Sequence, residues 1–221
     1  MRRALDTLRL EARAEADAIL RWWRVHAPDP GGGFYGEIDA SGRPVAEAPR
    51  AAILNARLLW FFSASGEAAL ARRAADYLNA HLFDREQGGV YWSVDAAGAP
   101  LDTKKQTYAQ AFALYGFAEY YAATGDAAAL AAARGLRDLI ETRFRDAERG
   151  GYIEALTRDG APLADPRLSD KDMDAPKTMN THLHVLEAYT RLHQVAPDAA
   201  TQAALRGAAQ VFLDRFVGPE G

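Results

Sequence analysis

The chain has 221 residues, of which 49% are hydrophobic and 25% charged, which is typical of a globular domain with a sizeable core. Its formal net charge of -4 gives no reason to expect nucleic acid or an anionic membrane as a partner. Because the chain contains no cysteine, disulfides, thiolate catalysis and cysteine metal ligands are excluded.

The first segment, MRRALDTLRLEARAEADAILRWW, predicts a helix over residues 4–26, with Ile19 and Trp23 among the apolar residues at helical spacing. Charged residues interrupt this segment throughout, so it has no apolar stretch like that of a signal peptide. The rest of the chain contains no run of about 18 apolar residues, so no transmembrane helix is predicted there. We therefore expect a cytoplasmic protein with no membrane partner.

A glycine pattern occurs three times, at residues 32–42, 88–98 and 150–160. Each copy has two adjacent glycines and a further glycine nine residues after the second, as in Gly89 and Gly98. The repeat distance is 56 residues from 33 to 89 and 62 residues from 89 to 151. Aromatic-rich segments such as FYGEID and VYWSVD, followed by polar turns, predict a short β-hairpin in each copy.

Helical spacing of apolar residues characterises the rest of the chain. This spacing predicts six further helices, and therefore seven in total with the first. The six cover residues 47–64, 67–82, 103–123, 127–143, 177–195 and 199–216. Asp102-Thr103 and Gly125-Asp126 are typical of helix starts.

The connections between helices alternate in length. Short links such as Ser65-Gly66 predict tight helical hairpins, whereas each long return link contains a glycine hairpin. This alternation predicts an all-α toroid of α/α hairpins. Its inner helices follow the long links, which gather at one rim beside the N-termini of those helices.

The end of the chain, DRFVGPEG, resembles the ends of the earlier units, HLFDREQGG and RFRDAERGG. At about 60 residues per unit, a closed barrel of six hairpins would need roughly 360 to 400 residues. We therefore expect residues 1–221 to form a single domain that is about half of an (α/α)6 barrel, truncated at its C-terminus. The alternative is a natural protein of three units, whose open arc would require capping or dimerisation.

The segment KTMNTHLHVLEAYTRL places Asn180, His184, Glu187 and Arg191 in one stripe of the predicted helix over 177–195. This stripe either faces the barrel axis or is simply solvated. His182 points about 200° away from His184, so only one of the two histidines can share the direction of Asn180. A zinc site is disfavoured because a histidine pair at this spacing diverges on a helix and no third ligand follows.

Arg57 lies among long apolar residues in LNARLLWFF. Such a charge is expected either to pair with a carboxylate on another inner helix or to reach a cavity. Tyr108 begins an aromatic stripe that continues through Phe112 and Tyr115. Such a stripe more often packs in a core than against a ligand, but Tyr108 lies near the predicted rim and is the best pocket candidate in it.

The acidic loop over residues 168–178 precedes the histidine-containing helix. Asp170, Asp172 and Asp174 are expected to be mainly solvated, with one of them able to accept a hydrogen bond from a ligand hydroxyl. A calcium loop is disfavoured because the glycine and the terminal glutamate of that motif are missing.

Four segments together carry a family resemblance: GFYGEID, LNARLLWFFSAS, GGVYWSVDAAGAPLDTKKQTYAQAFALYGFAEYY and DKDMDAPKTMNTHLHVLEAYTRL. From about residue 30 to 195, in order and with consistent spacing, they resemble the cellobiose 2-epimerases of the N-acylglucosamine 2-epimerase family. The resemblance implies an (α/α)6 barrel with a central sugar pocket, no metal or other cofactor, and a monomer when full length. It also implies inversion at C2 of the reducing-end glucose of β-1,4-linked disaccharides such as cellobiose and lactose, through ring opening and a cis-enediolate.

The same resemblance assigns roles to five residues. Arg57 and His184 are implied as catalytic, and Tyr108, Asn180 and Asp172 as substrate-binding. The family's two principal acid/base histidines have no counterpart in residues 1–221, so we expect this chain alone to be inactive.

Three alternatives to epimerisation remain. Glycoside hydrolases share the α/α barrel but need two carboxylates across the pocket, which the predicted inner stripes do not favour. An aldose–ketose isomerase would use the same enediolate and return the proton to C1. A fragment of this length could also bind sugar without catalysis.

Overall fold

The computed structural model describes residues 2–218, with side chains described from residue 5 onward. In this part of the chain there are seven α-helices: α1 (Arg2–His26), α2 (Ala52–Ala64), α3 (Ala68–Tyr77), α4 (Thr107–Thr124), α5 (Ala127–Leu139), α6 (Met179–Val195) and α7 (Ala199–Arg215). Two of them, α3 and α5, continue directly into a π-helical turn, at Leu78–Leu82 and Ile140–Phe144. The predicted number and order of helices are therefore confirmed.

The helices after α1 form two layers. The inner layer consists of α2, α4 and α6, with α4 packed between the other two, while α3, α5 and α7 each pack against the helix before them. Because α4 is central, it is buried almost all round and lacks a polar face. Helix α1 packs against this core through Leu20 and Trp23. None of the helices in the described chain has an apolar stretch long enough to cross a membrane.

The long links contain five short strands: β1 (Arg50–Ala51), β2 (Ser93–Val94), β3 (Pro100–Asp102), β4 (Lys105–Gln106) and β5 (Ala155–Leu156). They pair antiparallel in the order β1-β2-β3 and as β4-β5, so strands from neighbouring links meet. The backbone N–H of Ala52 donates to the Trp92 carbonyl at 3.0 Å, and that of Thr107 to the Glu154 carbonyl at 2.9 Å. The links therefore form the predicted rim beside the N-termini of the inner helices.

Two predicted helix starts were too early. The helices expected from residues 47 and 103 begin at Ala52 and Thr107, because the residues just before them pair as strands β1 and β4. Neither start has a side-chain cap, so no capping residue marks it in the sequence. The start predicted at Asp102 was wrong, since Asp102 belongs to β3. The start at Asp126 is confirmed by its hydrogen bond from the Ala128 N–H at 2.8 Å.

The paired glycines lie in a turn in each unit, and the turns of the second and third units have the same backbone hydrogen bonds. In the third unit, Gly150 and Gly151 both have a φ of 73°, a left-handed conformation that glycine adopts without strain. The buried His182, fourth residue of α6, packs against this turn, with Nε2 accepting a hydrogen bond from the Tyr152 N–H at 2.9 Å. Its Nδ1 lies 2.6 Å from the Thr178 carbonyl, and its burial lowers the pKa of the imidazole. His182 therefore supports the turn, and it diverges from His184 as predicted.

Replacing Gly151 with alanine should lower the free energy of unfolding by about 2 kcal/mol. The new Cβ would adopt a positive φ and lie 2.5 Å from Nε2 of His182. Gly135→Ala is the matched control, because an added Cβ there meets nothing within 4 Å inside helix α5. This control should stabilise the chain by up to about 1 kcal/mol. Urea unfolding followed by circular dichroism measures the free energy of unfolding of both variants. Equal values for Gly151→Ala and Gly135→Ala would contradict the packing of His182 on the turn.

A second contact repeats in every unit and joins the glycine turn to the next inner helix. The aspartate that opens the turn pairs with a cation two residues before that helix, and we call this contact the turn–helix ion pair. The three examples are Asp29–Arg50, Asp84–Lys105 at 3.0 Å and Asp146–Lys177 at 2.6 Å. The side chains of Arg50 and Lys105 are each only 4% exposed, so these two pairs lie in the protein interior.

The turn–helix ion pairs should make the fold sensitive to acid. Hydrogen bonds from Lys177 and from the Arg149 N–H lower the pKa of Asp146 to about 2. A carboxyl whose pKa is lowered by folding stabilises the folded state above its unfolded pKa, and that contribution is lost as the pH falls. We expect the urea midpoint to fall between about pH 5 and pH 2 and to fall less steeply in Lys177→Met. The exposed Lys171→Met is the control, and an unchanged slope in Lys177→Met would contradict this assignment.

Candidate functional site

The inner faces of α2, α4 and α6 present their side chains in matching rows. The sixth residues of these helices are Arg57, Phe112 and His184. The guanidinium carbon of Arg57 lies 4.4 Å from the centre of the Phe112 ring, and that ring lies 4.5 Å from the His184 ring. Three residues far apart in the sequence therefore form one continuous row across the inner wall.

Tyr108 joins this row from the rim side. As the second residue of α4 it is largely buried, and its hydroxyl accepts a hydrogen bond from Nη2 of Arg57 at 3.1 Å. Its ring meets the His184 ring edge-on, with 4.9 Å between the centres. We call Arg57, Tyr108, Phe112 and His184 the Arg57 cluster.

The next row lies one turn deeper and contains Trp60, Tyr115 and Glu187. The rings of Trp60 and Tyr115 stack with 5.6 Å between their centres. Burial and the nearby carboxylates of Glu187 and Glu119 raise the pKa of Tyr115. Oε2 of Glu187 lies 3.0 Å from Nδ1 of His184, which links this row to the Arg57 cluster.

The predicted α6 stripe is therefore not simply solvated. The His184 side chain is 18% exposed and packs against the rings of α4. Two turns further along, Nε of Arg191 donates a hydrogen bond to Glu119 on α4 at 2.5 Å.

A cavity of about 710 Å³ opens along these rows. The residues that line it include Trp23, Arg57, Trp60, Phe112, His184 and Glu187. Arg57 is exposed, and no carboxylate in the described part of the chain lies within ion-pair distance of it. Arg57 was predicted either to pair with a carboxylate on another inner helix or to reach a cavity, and the structure shows that it reaches a cavity. The cavity therefore contains a positive charge that is not neutralised by an ion pair within residues 5–218.

Asn180 and Asp172 lie apart from the Arg57 cluster. Both line a neighbouring cavity of about 370 Å³ between the acidic loop and the start of α6. Asp172 accepts a hydrogen bond from the Ser169 hydroxyl at 2.7 Å, and Asn180 is exposed. The structure thus brings three of the five predicted site residues into contact and places the other two beside a second cavity, nearer the rim.

Two contributions to the large cavity were not predicted. Ile19 and Trp23 of α1 line it, although their spacing indicated only the apolar face of a helix. Glu187 was predicted to share a stripe with His184 but was given no role in a site, and it contacts His184 directly. In the described residues, no group of three or more histidine, aspartate or glutamate side chains is arranged to hold a metal ion.

The fold and this wall define an all-α protein built from α/α hairpins around an inner, aromatic-lined face. The family described as N-acylglucosamine 2-epimerase (GlcNAc 2-epimerase) matches residues 33–220, and the chain belongs to this family. The cellobiose 2-epimerase of Bacteroides fragilis is 45% identical over 207 residues, which are 90% of this chain and 53% of that protein. The chain therefore spans about half the length of the curated relatives it matches.

Solved structures agree with this assignment. Cellobiose 2-epimerase from Bacillus thermoamylovorans B4167 is 34% identical, with a TM-score of 0.91 over 97% of this chain and 57% of that chain. A D-mannose isomerase, 19% identical with a TM-score of 0.75 over 90% of this chain and 49% of that chain, shares the fold. The chain forms about half of the (α/α)6 barrel, as predicted.

Proposed function

We propose that the protein carrying this chain is a carbohydrate 2-epimerase that inverts C2 of the reducing-end glucose in β-1,4-linked disaccharides such as cellobiose and lactose. The observation that carries the proposal is Arg57, whose guanidinium lacks a carboxylate partner among the described residues and reaches a cavity next to His184. Membership of the epimerase family and the similarity to cellobiose 2-epimerases support it.

The reaction begins when the sugar ring opens to the free aldehyde. A base then removes the proton from C2, the electrons of that bond form a C1–C2 double bond, and the carbonyl oxygen becomes the oxyanion of a cis-enediolate. Return of a proton to the opposite face of C2 restores the aldehyde with the mannose configuration. This chemistry needs positive charge at the oxyanion and groups that exchange protons near neutral pH.

The Arg57 cluster offers the positive charge and one of the groups that can exchange a proton. In our proposal the guanidinium of Arg57 stabilises the oxyanion, with the Tyr108 hydroxyl beside it as a hydrogen-bonding group. His184 supplies an imidazole, the side chain whose ordinary pKa lies nearest neutrality. The partly exposed ring of Trp60 offers an apolar surface for the C–H face of a sugar.

Asn180 and Asp172 are proposed to bind substrate from the neighbouring cavity. The exposed amide of Asn180 can both donate and accept hydrogen bonds, and the Asp172 carboxylate can accept them. Sugar hydroxyls need such directed partners.

For the 221-residue chain alone we expect sugar binding without turnover, because the principal acid/base histidines of the family have no counterpart in it. Calorimetry with lactose measures the binding, and incubation with cellobiose measures the turnover. Formation of glucosyl-mannose by the purified chain would contradict the expected inactivity.

The proposed activity is tested with the full-length protein and cellobiose in deuterated water. Glucosyl-mannose with deuterium at C2 would support epimerisation through proton removal. A ketose product would indicate an aldose–ketose isomerase, and free glucose a glycoside hydrolase. Binding of cellobiose with no product would indicate a sugar-binding protein, and each of these last three results would contradict the proposal.

A further inference from the structure

We propose that Glu187 is a positioning residue that holds His184 in the tautomer with its proton on Nδ1, so that Nε2 is left as a free acceptor. The inference rests on the proposed function, because it concerns how His184 is prepared to take part in proton transfer. It assigns a role to a residue whose own carboxylate need not contact the sugar.

The contact that supports this inference lies within one helix. Oε2 of Glu187 is 3.0 Å from Nδ1 of His184, and the two residues are three positions apart in α6. An ionised carboxylate can only accept hydrogen bonds, so Nδ1 must be the donor. A neutral imidazole has a single N–H, and therefore Nε2 carries a lone pair instead of a proton.

The surroundings of the ring limit its other orientations. Phe112 and Tyr108 pack against the imidazole, with ring centres 4.5 Å and 4.9 Å away, so its plane is held by α4. Within that plane, the contact with Glu187 decides which nitrogen turns away from α6. No side chain or backbone group in the described residues forms a hydrogen bond with Nε2 of His184, which lines the cavity together with Arg57. The free nitrogen is thus available to a ligand.

His182 provides a reference within the same protein. Its Nε2 accepts a hydrogen bond from the Tyr152 N–H, so its proton must lie on Nδ1, which donates to the Thr178 carbonyl. His182 is only 2% exposed and takes no part in the cavity. Its nitrogen resonances therefore define the signature of an Nδ1–H histidine in this fold.

The tautomers can be read from long-range ¹H–¹⁵N spectra of the sugar-free chain at about pH 8.5, where histidines with ordinary pKa values are neutral. We expect His184 to show the same nitrogen pattern as His182. In Glu187→Met the ratio of the Nδ1–H form of His184 to its Nε2–H form should fall by about tenfold or more, because a hydrogen bond to a charged acceptor is lost. Glu187→Gln retains a neutral acceptor and should keep more of the Nδ1–H form. The pattern of His182 should not change.

Two results would overturn the inference. One is an Nε2–H pattern for His184 in the unaltered chain, a measurement that requires no variant. The other is an Nδ1–H pattern that persists in Glu187→Met. Because these spectra contain no sugar, they test the inference even if the proposed epimerase activity is absent.

Kinetics of the full-length protein test the consequence for function. With cellobiose, Glu187→Met should lower kcat by about tenfold or more with little change in KM, and Glu187→Gln should recover part of the loss. A shifted tautomer with an unchanged kcat would overturn the positioning role.

Discussion

Replacing Arg57 with methionine should lower kcat/KM for cellobiose epimerisation by the full-length protein by about 10²- to 10³-fold. The guanidinium is the charge proposed to stabilise the enediolate, and methionine retains an apolar contact with Phe112 while removing that charge. Since Arg57 is exposed and has no ion-pair partner in the described residues, the urea midpoint should change little. Initial rates and unfolding curves of the same preparations measure both effects.

Arg72→Met is the matched control for this prediction. Arg72 lies on the outer helix α3, and its ion pair with Asp76 at 3.6 Å is largely exposed to solvent. Its replacement should leave kcat/KM unchanged. Arg57→Lys should fall between wild type and Arg57→Met, because lysine keeps the charge but not the planar group that lies over the Phe112 ring. Equal activities of Arg57→Met and Arg72→Met would contradict the role of Arg57.

Asp84→Asn should lower the free energy of unfolding by about 3–5 kcal/mol. The Asp84 carboxylate is fully buried and accepts hydrogen bonds from Nζ of Lys105 at 3.0 Å and from Nε of Arg158 at 2.8 Å. Burial alone would raise the pKa of Asp84, but the hydrogen bonds from Arg158, the Gln87 N–H and Lys105 hold it well below its usual range. Asparagine would leave the ammonium group of Lys105 buried without a counterion. Urea unfolding measures the loss.

Asp76→Asn is the control for Asp84→Asn. The Asp76 carboxylate also pairs with a cation, but its side chain is 68% exposed, so we expect a loss below about 1 kcal/mol. Combining Asp84→Asn with Lys105→Met should recover part of the stability, because the unpaired buried charge is then removed as well. A double variant as unstable as Asp84→Asn alone would show that Lys105 is not the source of the loss.

Much of the fold could be predicted from the sequence because its signals are local. The left-handed turn at Gly150 and Gly151 needs glycine. The link at Gly66 is so short that the two helices it joins must form a hairpin. The starts of α2 and α4 could not be predicted, since they depend on strand pairing with residues about 40 to 50 positions further along the chain.

The site was only partly predictable for a similar reason. The order of side chains along α6 follows from helical geometry, so Asn180 and His184 could be placed on one stripe. Which residues of α2 and α4 lie opposite them depends on the relative heights of three helices. The contact of Arg57 with Phe112, and the separation of Asn180 from the Arg57 cluster, result from those heights.

The turn–helix ion pair has a consequence for how this architecture can change over time. The paired residues are 21 positions apart in the first two units and 31 apart in the third, yet the same contact closes each unit. The additional segment of the third unit includes Asp172 and borders the smaller cavity. Chain length can thus vary between two fixed anchor points without displacing the inner helices. Insertions at the rim can therefore reshape the smaller cavity while the row of side chains across the inner wall keeps its arrangement.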